Sequence, residues 1–492
     1  MIFEPGEEAL TVRNIGPARI TSGLETRTRL GILEHRAVHG TPPQLPPDDL
    51  MALAGVADLR GRGGAGFPFA RKYAAVLRSA HRRQSPVRVV VNATEGEPAA
   101  RKDEMLLTRA PHLVLDGAEL AAWSLNAPEV IVGVADGPGE RSLLEAIDER
   151  DSDLAFHVVR VPERFISGEG GALVRAINGQ VPIPPGRKVR AADSGVGGVP
   201  TLLSNAETYA QLALIAQLGA DLYTAVGIPT EPGTVLLTVS VPGNGDPTIV
   251  ETPTGVLLRD VLELCGTTAG RGVLIGGYHG AWLSADAANT VRVSRAGMKA
   301  AGAALGAGIV APLSEDACPL EETARVLHYM AGESADQCGP CFRGLPELAR
   351  TFSELAAGEG EPEAVLKAAL IGEGRGACSH PDGTARFARS ALAAFPDEIA
   401  IHAAAGSCNP RTKKVLPLST VTTGASKMLL DWSRCDGHGL CSVLAPDLVQ
   451  LDGNGYPQKT VMAVPEKFRD TAEKAVEMCP ALALRIDEAT AP

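Results

Sequence analysis

Nine cysteines punctuate this 492-residue chain, and six of them gather in two groups toward its C-terminal end. The first group is Cys338-Gly339-Pro340-Cys341 with Cys378, and the second is Cys435, Cys441 and Cys479. An odd count in a long chain without an export signal argues against a disulfide framework, so metal or cluster ligation leads. Cys338 and Cys341 fall between two predicted helices, and Cys378 follows one helical hairpin later, so thiolates at neighbouring helix ends can converge on one iron–sulfur cluster. A zinc site or a thiol–disulfide pair would use the same spacing, although no thioredoxin-like strand precedes it. Cys265, Cys318 and Cys408 stand apart and read as small buried hydrophobes.

Two further stretches carry binding chemistry. Arg60-Gly61-Arg62-Gly63-Gly64-Ala65-Gly66-Phe67-Pro68 packs four glycines into six positions. Such a backbone takes positive φ readily and brings N–H groups close to a ligand oxygen, with Lys72 just beyond to reach a phosphate. The spacing matches neither the Walker loop nor a strict G-x-G-x-x-G, and a plain tight turn is the alternative. The second stretch, Asn92-Ala93-Thr94-Glu95-Gly96-Glu97-Pro98, leaves a β-branched run and sets an amide and carboxylates at a strand's carboxyl end. Such groups bind ribityl hydroxyls and flavin ring edges; a solvated acidic turn is the alternative.

The elements that must position these residues follow from periodicity. From Val87 to Val161, β-branched runs (Val87–Val91, Val130–Val134, Phe156–Val161) alternate with helical stretches (Pro111–Leu125, Pro138–Arg150). That alternation predicts a parallel sheet with right-handed crossovers, whose ligands gather at the strands' carboxyl ends. A second strand–helix–strand unit spans Val235 to about Val291. Apolar residues then recur at helical spacing in four segments: Leu320, Ala324 and Leu327; Leu345, Leu348, Phe352 and Leu355; Val365, Leu366, Ala369 and Leu370; Phe387, Leu392 and Phe395. They fit a helical bundle. A Thr/Ser/Pro/Lys-rich stretch from Asn409 to Lys427 reads as a linker before a compact domain of some sixty residues.

The chain is long enough for three or more cores, and its formal charge of −12 opposes binding to a phosphate backbone. Nucleic acid is set aside. No run reaches the ~20 apolar residues of a spanning helix, and Met1–Glu8 lacks a basic segment followed by an apolar one, so a cytoplasmic location is expected. The stretch to about Pro46 yields no functional reading beyond a cover for the domain that follows.

RGRGGAGFP with Lys72, NATEGEP with Lys102-Asp103, and GEGGAL at Gly168–Leu173 together resemble the NADH-binding flavoprotein subunit of respiratory complex I and its hydrogenase and formate dehydrogenase relatives, in the same order over about residues 45–405. The resemblance implies a Rossmann-like FMN domain (47–234, after a 1–46 extension), a β-grasp domain of the soluble-ligand-binding class (235–300) and a four-helix cluster domain (301–405). Carried over by position, Gly61, Arg62, Gly63, Gly64, Ala65 and Gly66 would cradle FMN and Lys72 would lie beside it. Asn92, Thr94 and Glu95 would border the flavin, Asn205 would complete its site, and Glu97 would face the nicotinamide. Glu169 matches the first of two family glutamates. The chain departs from the pattern at four places: Gly170 replaces the second glutamate, Thr94 replaces an acid, and Arg187-Lys188-Val189-Arg190-Ala191 replaces the stretch that stacks on adenine. Ala335 replaces the family's additional cysteine. Three cysteines hold a 3Fe-4S cluster, or a 4Fe-4S cluster with a non-cysteine ligand, for which Asp336 and His380 are candidates. The adenine-site change favours NADPH, or an acidic protein partner, as alternatives to NADH.

After a 406–427 linker, Cys435-Asp436-Gly437-His438-Gly439-Leu440-Cys441 with Cys479-Pro480 resembles the single-cluster bacterial ferredoxins that serve cytochromes P450, giving an α+β domain over 428–492. His438 stands where such proteins vary a cysteine, which favours a 3Fe-4S cluster; ligation by His438 would give a 4Fe-4S cluster instead. The expected protein is an α/β multi-domain oxidoreductase in which FMN converts the electron pair of each hydride from NAD(P)H into single electrons, carried by clusters to a redox partner such as a ferredoxin, a P450 or another oxidoreductase. A nicotinamide-independent module feeding a partner oxidoreductase and a non-catalytic redox-sensing scaffold are the rivals.

Overall fold

The computed structural model describes residues 10–186, 189–243, 246–335, 337–418, 426–464 and 468–487. The chain divides into two compact units, Met1–Leu418 and Ser419–Pro492. Arg187, Lys188 and Asp336, singled out above, lie outside the described residues.

In the first unit, four parallel strands lie in the order Ala155–Arg160, Glu129–Val134, Arg88–Ala93, Thr201–Asn205. Parallel strands covered on both faces need near-continuous apolar runs, and Val89, Val90 and Val91 are fully buried. The helices Pro111–Ser124 and Ala206–Thr224 pack closely because Gly117 faces the Tyr209 carbonyl, where a Cβ would come within 1.9 Å. The strand and helix alternation expected over 87–161 matches these elements. The strand Thr201–Asn205 and the helices Phe69–Arg83 and Ala206–Thr224 add to it.

The segment from Val235 contributes to a six-stranded mixed sheet. One of its two edge strands is Thr11–Asn14, paired in parallel with Thr248–Pro253. The N-terminal stretch is therefore part of a sheet as well as a cover. Buried Glu251 fastens it by accepting hydrogen bonds from the amides of Arg19, Ile20 and Thr21 at 2.9–3.0 Å.

The helices Pro319–Gly332, Leu345–Ala356, Pro362–Gly372 and His380–Ala394 follow, with Pro396–Ala405 as a fifth. Leu320, Leu327, Leu348, Phe352, Val365 and Phe387 are buried in their shared core. Residues 411–418, within the segment read as linker, pack on this unit. The amides of Arg411 and Thr412 donate to the Asp316 carbonyl, the Leu416 amide donates to Glu322, and Leu416 is buried. Sparse apolar content hides this, because the contacts are mainly backbone hydrogen bonds. Among the described residues no helix is long and apolar enough to cross a membrane.

The second unit has a three-stranded antiparallel sheet with Ser426–Leu430 in the middle, flanked by Val461–Val464 and Leu484–Asp487, and the helices Leu440–Leu444 and Arg469–Glu477.

Candidate flavin and iron–sulfur sites

The Gly-rich loop is closed at its base by the Gly61 amide donating to the Phe67 carbonyl at 3.0 Å and by a bridge between Arg60 and Pro68. Gly64 (φ +111°) and Gly66 (φ +60°) need the left-handed half of backbone space, and a Cβ on Gly63 would come within 3.2 Å of Asn205. The Arg62 amide donates to Thr208 at 2.9 Å, pinning the loop to the helix Ala206–Thr224. Ala65 lies between the two positive-φ glycines. The helix Phe69–Arg83 carries Lys72, whose ammonium donates to the Leu203 carbonyl at 2.7 Å and the Ser204 hydroxyl at 3.3 Å. Its third donor is uncommitted by these bonds. Burial lowers Lys72 to about 8.

Three site side chains cap helices whose N-termini converge beside this loop, at the carboxyl ends of Arg88–Ala93 and Thr201–Asn205. Glu95 accepts from the amides of Asp103 and Glu104 at 3.1 and 3.0 Å, at the start of Lys102–Arg109. Glu169 accepts from the Ala172 amide at 2.9 Å, capping Gly170–Ile177. Asn205 accepts from the Glu207 amide at 3.2 Å, capping Ala206–Thr224. Asn92 donates to the Gly168 carbonyl at 3.0 Å and accepts from the amide and hydroxyl of Thr94 at 3.1 and 2.6 Å. Thr94 thus sets the Asn92 amide instead of adding a charge. The structure brings Gly61, Arg62, Gly63, Gly64, Ala65, Gly66, Lys72, Asn92, Thr94, Glu95 and Asn205 to one end of one sheet.

A charge cluster lies beneath. Buried Lys102 contacts Asp103 and Asn205 at 3.0 Å and Glu207 at 3.1 Å. Burial alone would pull its ammonium down, but Asp103, Glu207 and Glu95 outweigh this and raise it. Burial, reinforced by Asp103, pushes the Glu95 carboxyl upward. Burial raises Glu97 to about 8 although part of its surface stays open, and it accepts from the Tyr278 amide at 2.8 Å. Burial thus favours the protonated form of Glu97. The only signal of the Tyr278 contact in the sequence is the run Gly276-Gly277-Tyr278-His279-Gly280. A Cβ on Gly277 would meet Glu97 at 2.7 Å, so glycine permits the approach.

The Cys338 carbonyl accepts from the amides of Cys341 and Phe342 at 3.1 and 2.9 Å, and Cys341 is buried. Small residues let the turns bearing Cys341 and Cys378 approach: a Cβ on Gly372 would sit 3.2 Å from Pro381 and 3.5 Å from Pro340. Burial raises the Cys378 thiol, and the charges of Glu169 and Cys338 raise it further. Gln337, next to Cys338, donates to the Pro184 carbonyl at 3.0 Å, and a Cβ on Gly171 would meet Pro185 at 2.5 Å, so the helix that Glu169 caps and this cysteine group are neighbours. His380 is committed elsewhere: Nε2 donates to the Met330 carbonyl at 2.9 Å, so Nδ1 faces His279 Nε2 at 3.1 Å as an acceptor. That geometry opposes its reading as a cluster ligand.

In the second unit Cys435, Cys441 and Cys479 line one cavity with His438, Gly439 and Pro457. Burial raises Cys441, and Cys435 and Cys479 raise it further, as neighbouring thiols do. Gly437 (φ +70°) and Gly439 (φ +71°) wrap the loop around that cavity, with His438 exposed between them.

These sites suit the groups that the resemblance implies. Open backbone at Gly64 and Gly66, the uncapped N-terminus of Phe69–Arg83 just after the loop, and the Lys72 ammonium suit a phosphorylated, hydroxyl-rich ligand such as FMN. Each trio of cysteines, adjacent and sheltered, suits a cluster. Residues 55–214 match the Nuo51 FMN-binding domain, 321–402 the NADH-ubiquinone oxidoreductase-F iron–sulfur binding region, and 428–486 a 4Fe-4S single cluster domain. The chain is accordingly an electron-transfer oxidoreductase of the flavin and iron–sulfur, NADH-dehydrogenase type. Its particular likeness is to the F-type component of NADH-quinone oxidoreductase. It is 28% identical over 75% of its length to the second F-type component of Rhizobium meliloti (strain 1021), covering 92% of that protein. It is 29% identical over 74% of its length to the F-type component of Mycobacterium bovis, covering 86% of that one. Among solved structures it resembles the NAD+-reducing [NiFe]-hydrogenase in the air-oxidized state, with a TM-score of 0.68 at 25% identity, over 79% of this chain and 67% of that one.

Proposed function

We propose that the protein oxidises NADH or NADPH at an FMN site and delivers the electrons singly, through its bundle cysteines and its ferredoxin-like unit, to a redox protein partner in the cytoplasm. The observation that carries this reading is the approach of the two sites: Gln337, next to Cys338, donates to the Pro184 carbonyl at 3.0 Å, and Pro185 lies against Gly171 on the helix that Glu169 caps. Bound FMN would accept one hydride, carrying two electrons, and would pass those electrons on singly to clusters while its protons return to solvent.

The chain's own residues divide the work. Amides of Gly61–Gly66 and the Lys72 ammonium hold the phosphate; Asn92, held by Thr94 and Gly168, and Asn205 meet the ribityl and ring edges. Glu97, whose burial favours the protonated carboxyl, would present a neutral donor on the nicotinamide side and avoid repelling an anionic dinucleotide. Glu169 orients the far wall. Cys338, Cys341 and Cys378 would hold one cluster and Cys435, Cys441 and Cys479 the other, which we take as 3Fe-4S because His438 stands where a further cysteine would be. The Rossmann-like, β-grasp, four-helix and ferredoxin-like assignments belong to the same reading, and a P450 or another ferredoxin-linked oxidoreductase is the partner it favours.

A second reading, in which a reduced ferredoxin feeds the flavin and no dinucleotide binds, is favoured by Gly170 at the second glutamate position and by the exposed Val189 and Arg190 where an aromatic stretch would stack on adenine. Steady-state oxidation of NADH and NADPH with a one-electron acceptor separates the two. Turnover with either nucleotide supports the dehydrogenase, whereas turnover only with reduced ferredoxin supports the second reading.

A further inference from the structure

Four side chains that the cluster sites leave unused meet in the helical region. Cys318 caps the helix Pro319–Gly332, its sulfur accepting from the Glu321 amide at 3.3 Å. Glu398 and His402, four residues apart on Pro396–Ala405, share one face of that helix. Cys408 follows on the segment that straps back over the unit. One donor atom from each of Cys318, Glu398, His402 and Cys408 lies within 4.8 Å of all the others, and the first three residues are buried.

We propose that Cys318, Glu398, His402 and Cys408 form a structural zinc site that fastens the end of the helical region, and the start of the connection toward the second unit, to the helix Pro319–Gly332.

The edge lengths suit a tetrahedral ion. Zinc bonds of about 2.3 Å to sulfur and about 2.0–2.1 Å to nitrogen or oxygen set ligand atoms roughly 3.3–3.8 Å apart. Here Cys318 Sγ is 3.3 Å from His402 Nε2 and 3.8 Å from Glu398 Oε1, and Nε2 is 3.4 Å from that carboxylate. The contacts that would orient the ligands are in place. His402 Nδ1 donates to the Ala356 carbonyl at 2.6 Å, which fixes the tautomer that leaves the Nε2 lone pair directed at the cluster. The other carboxylate oxygen of Glu398 is bound by Arg271.

Charge also balances. Two thiolates and Glu398 carry three negative charges; a divalent ion and Arg271 carry three positive ones. Binding releases two thiol protons, and the Cys408 amide, which now donates to Nε2 at 3.2 Å, turns to a thiolate. Two thiolates with imidazole and carboxylate in a closed four-coordinate set select zinc over harder ions.

The test uses the full-length protein with flavin and clusters loaded. Elemental analysis should find about one zinc per chain in addition to iron, and zinc K-edge absorption should show two sulfur and two lighter neighbours. Cys408→Ala, at a half-buried position, and His402→Gln should each lose the zinc while iron, acid-labile sulfide and FMN remain. The proposal is overturned if no zinc is retained after equilibration with a zinc salt and gel filtration. It is also overturned if absorption shows three or four sulfur neighbours, as from zinc in the cluster cysteines, if zinc survives both substitutions, or if peptide mapping finds Cys318 and Cys408 joined as a disulfide.

Discussion

Lys72 and Glu97 give the flavin site a pH response that can be calculated in sign. Lys72 is lowered by burial to about 8, so its charge is present below that value and lost above it. FMN affinity should therefore be highest below about pH 8 and fall by up to about tenfold per unit above it. Lys72→Met should weaken FMN by roughly tenfold at neutral pH and flatten the response, as read by quenching of flavin fluorescence. Glu97 is raised to about 8, so the folded protein binds its proton more tightly than the unfolded chain does. Its favourable contribution is full below about pH 4.5 and is lost as pH rises through about 8. Glu97→Gln cannot titrate, so between about pH 5 and pH 9 the wild type should lose on the order of 1–2 kcal/mol relative to it, discounting for the partly open carboxyl. Denaturant midpoints at the two pH values check this; equal shifts in both proteins would contradict it.

At the scale of elements, helix N-termini organise the site, and this part is only partly legible in the sequence. The Gly-rich loop, the acidic loop and the strands from Val87 to Val161 announce themselves through glycine spacing and β-branched runs. The capping roles of Glu95, Glu169 and Asn205 do not, because a cap pairs a side chain with amides two to nine positions away and leaves no periodic trace. Nor does the strap at 411–418 or the strand Thr11–Asn14, which are held by backbone hydrogen bonds that polar residues make as well as apolar ones. Cys318 and Cys408 look isolated along the chain because residues 90 positions apart meet only through the fold. Glu251 illustrates the energetic weight of such hidden contacts. It accepts from three N-terminal amides and from the hydroxyls of Thr21 and Thr234. Glu251→Ala should cost about 3 kcal/mol or more, since it strands several buried donors, and thermal unfolding should expose the N-terminal segment to proteolysis first.

At the scale of the whole molecule, two units divide the labour by chemistry. In the proposed reading the first unit takes up the electron pair and splits it, and the second, with its three cysteines around one cavity, delivers single electrons to the partner. A chain ending at Leu418 should keep its FMN and its reactivity toward dinucleotide while losing most transfer to a one-electron protein acceptor. Cys441→Ser in the full chain should do the same and remove one of two cluster signals from the EPR spectrum. Equal rates in truncated and full chains would assign delivery to the bundle cluster alone.

In the proposed reading this flavin site receives hydride from a dinucleotide despite Gly170 and the altered stretch near Arg190. The most direct measurement is anaerobic: NADH and then NADPH are mixed with the cluster-loaded protein while flavin absorbance and cluster EPR signals are followed together. Rapid flavin bleaching by one nucleotide, with cluster signals growing in behind it, is the predicted result and fixes the preferred donor. Bleaching by reduced ferredoxin or dithionite but by neither nucleotide would contradict it.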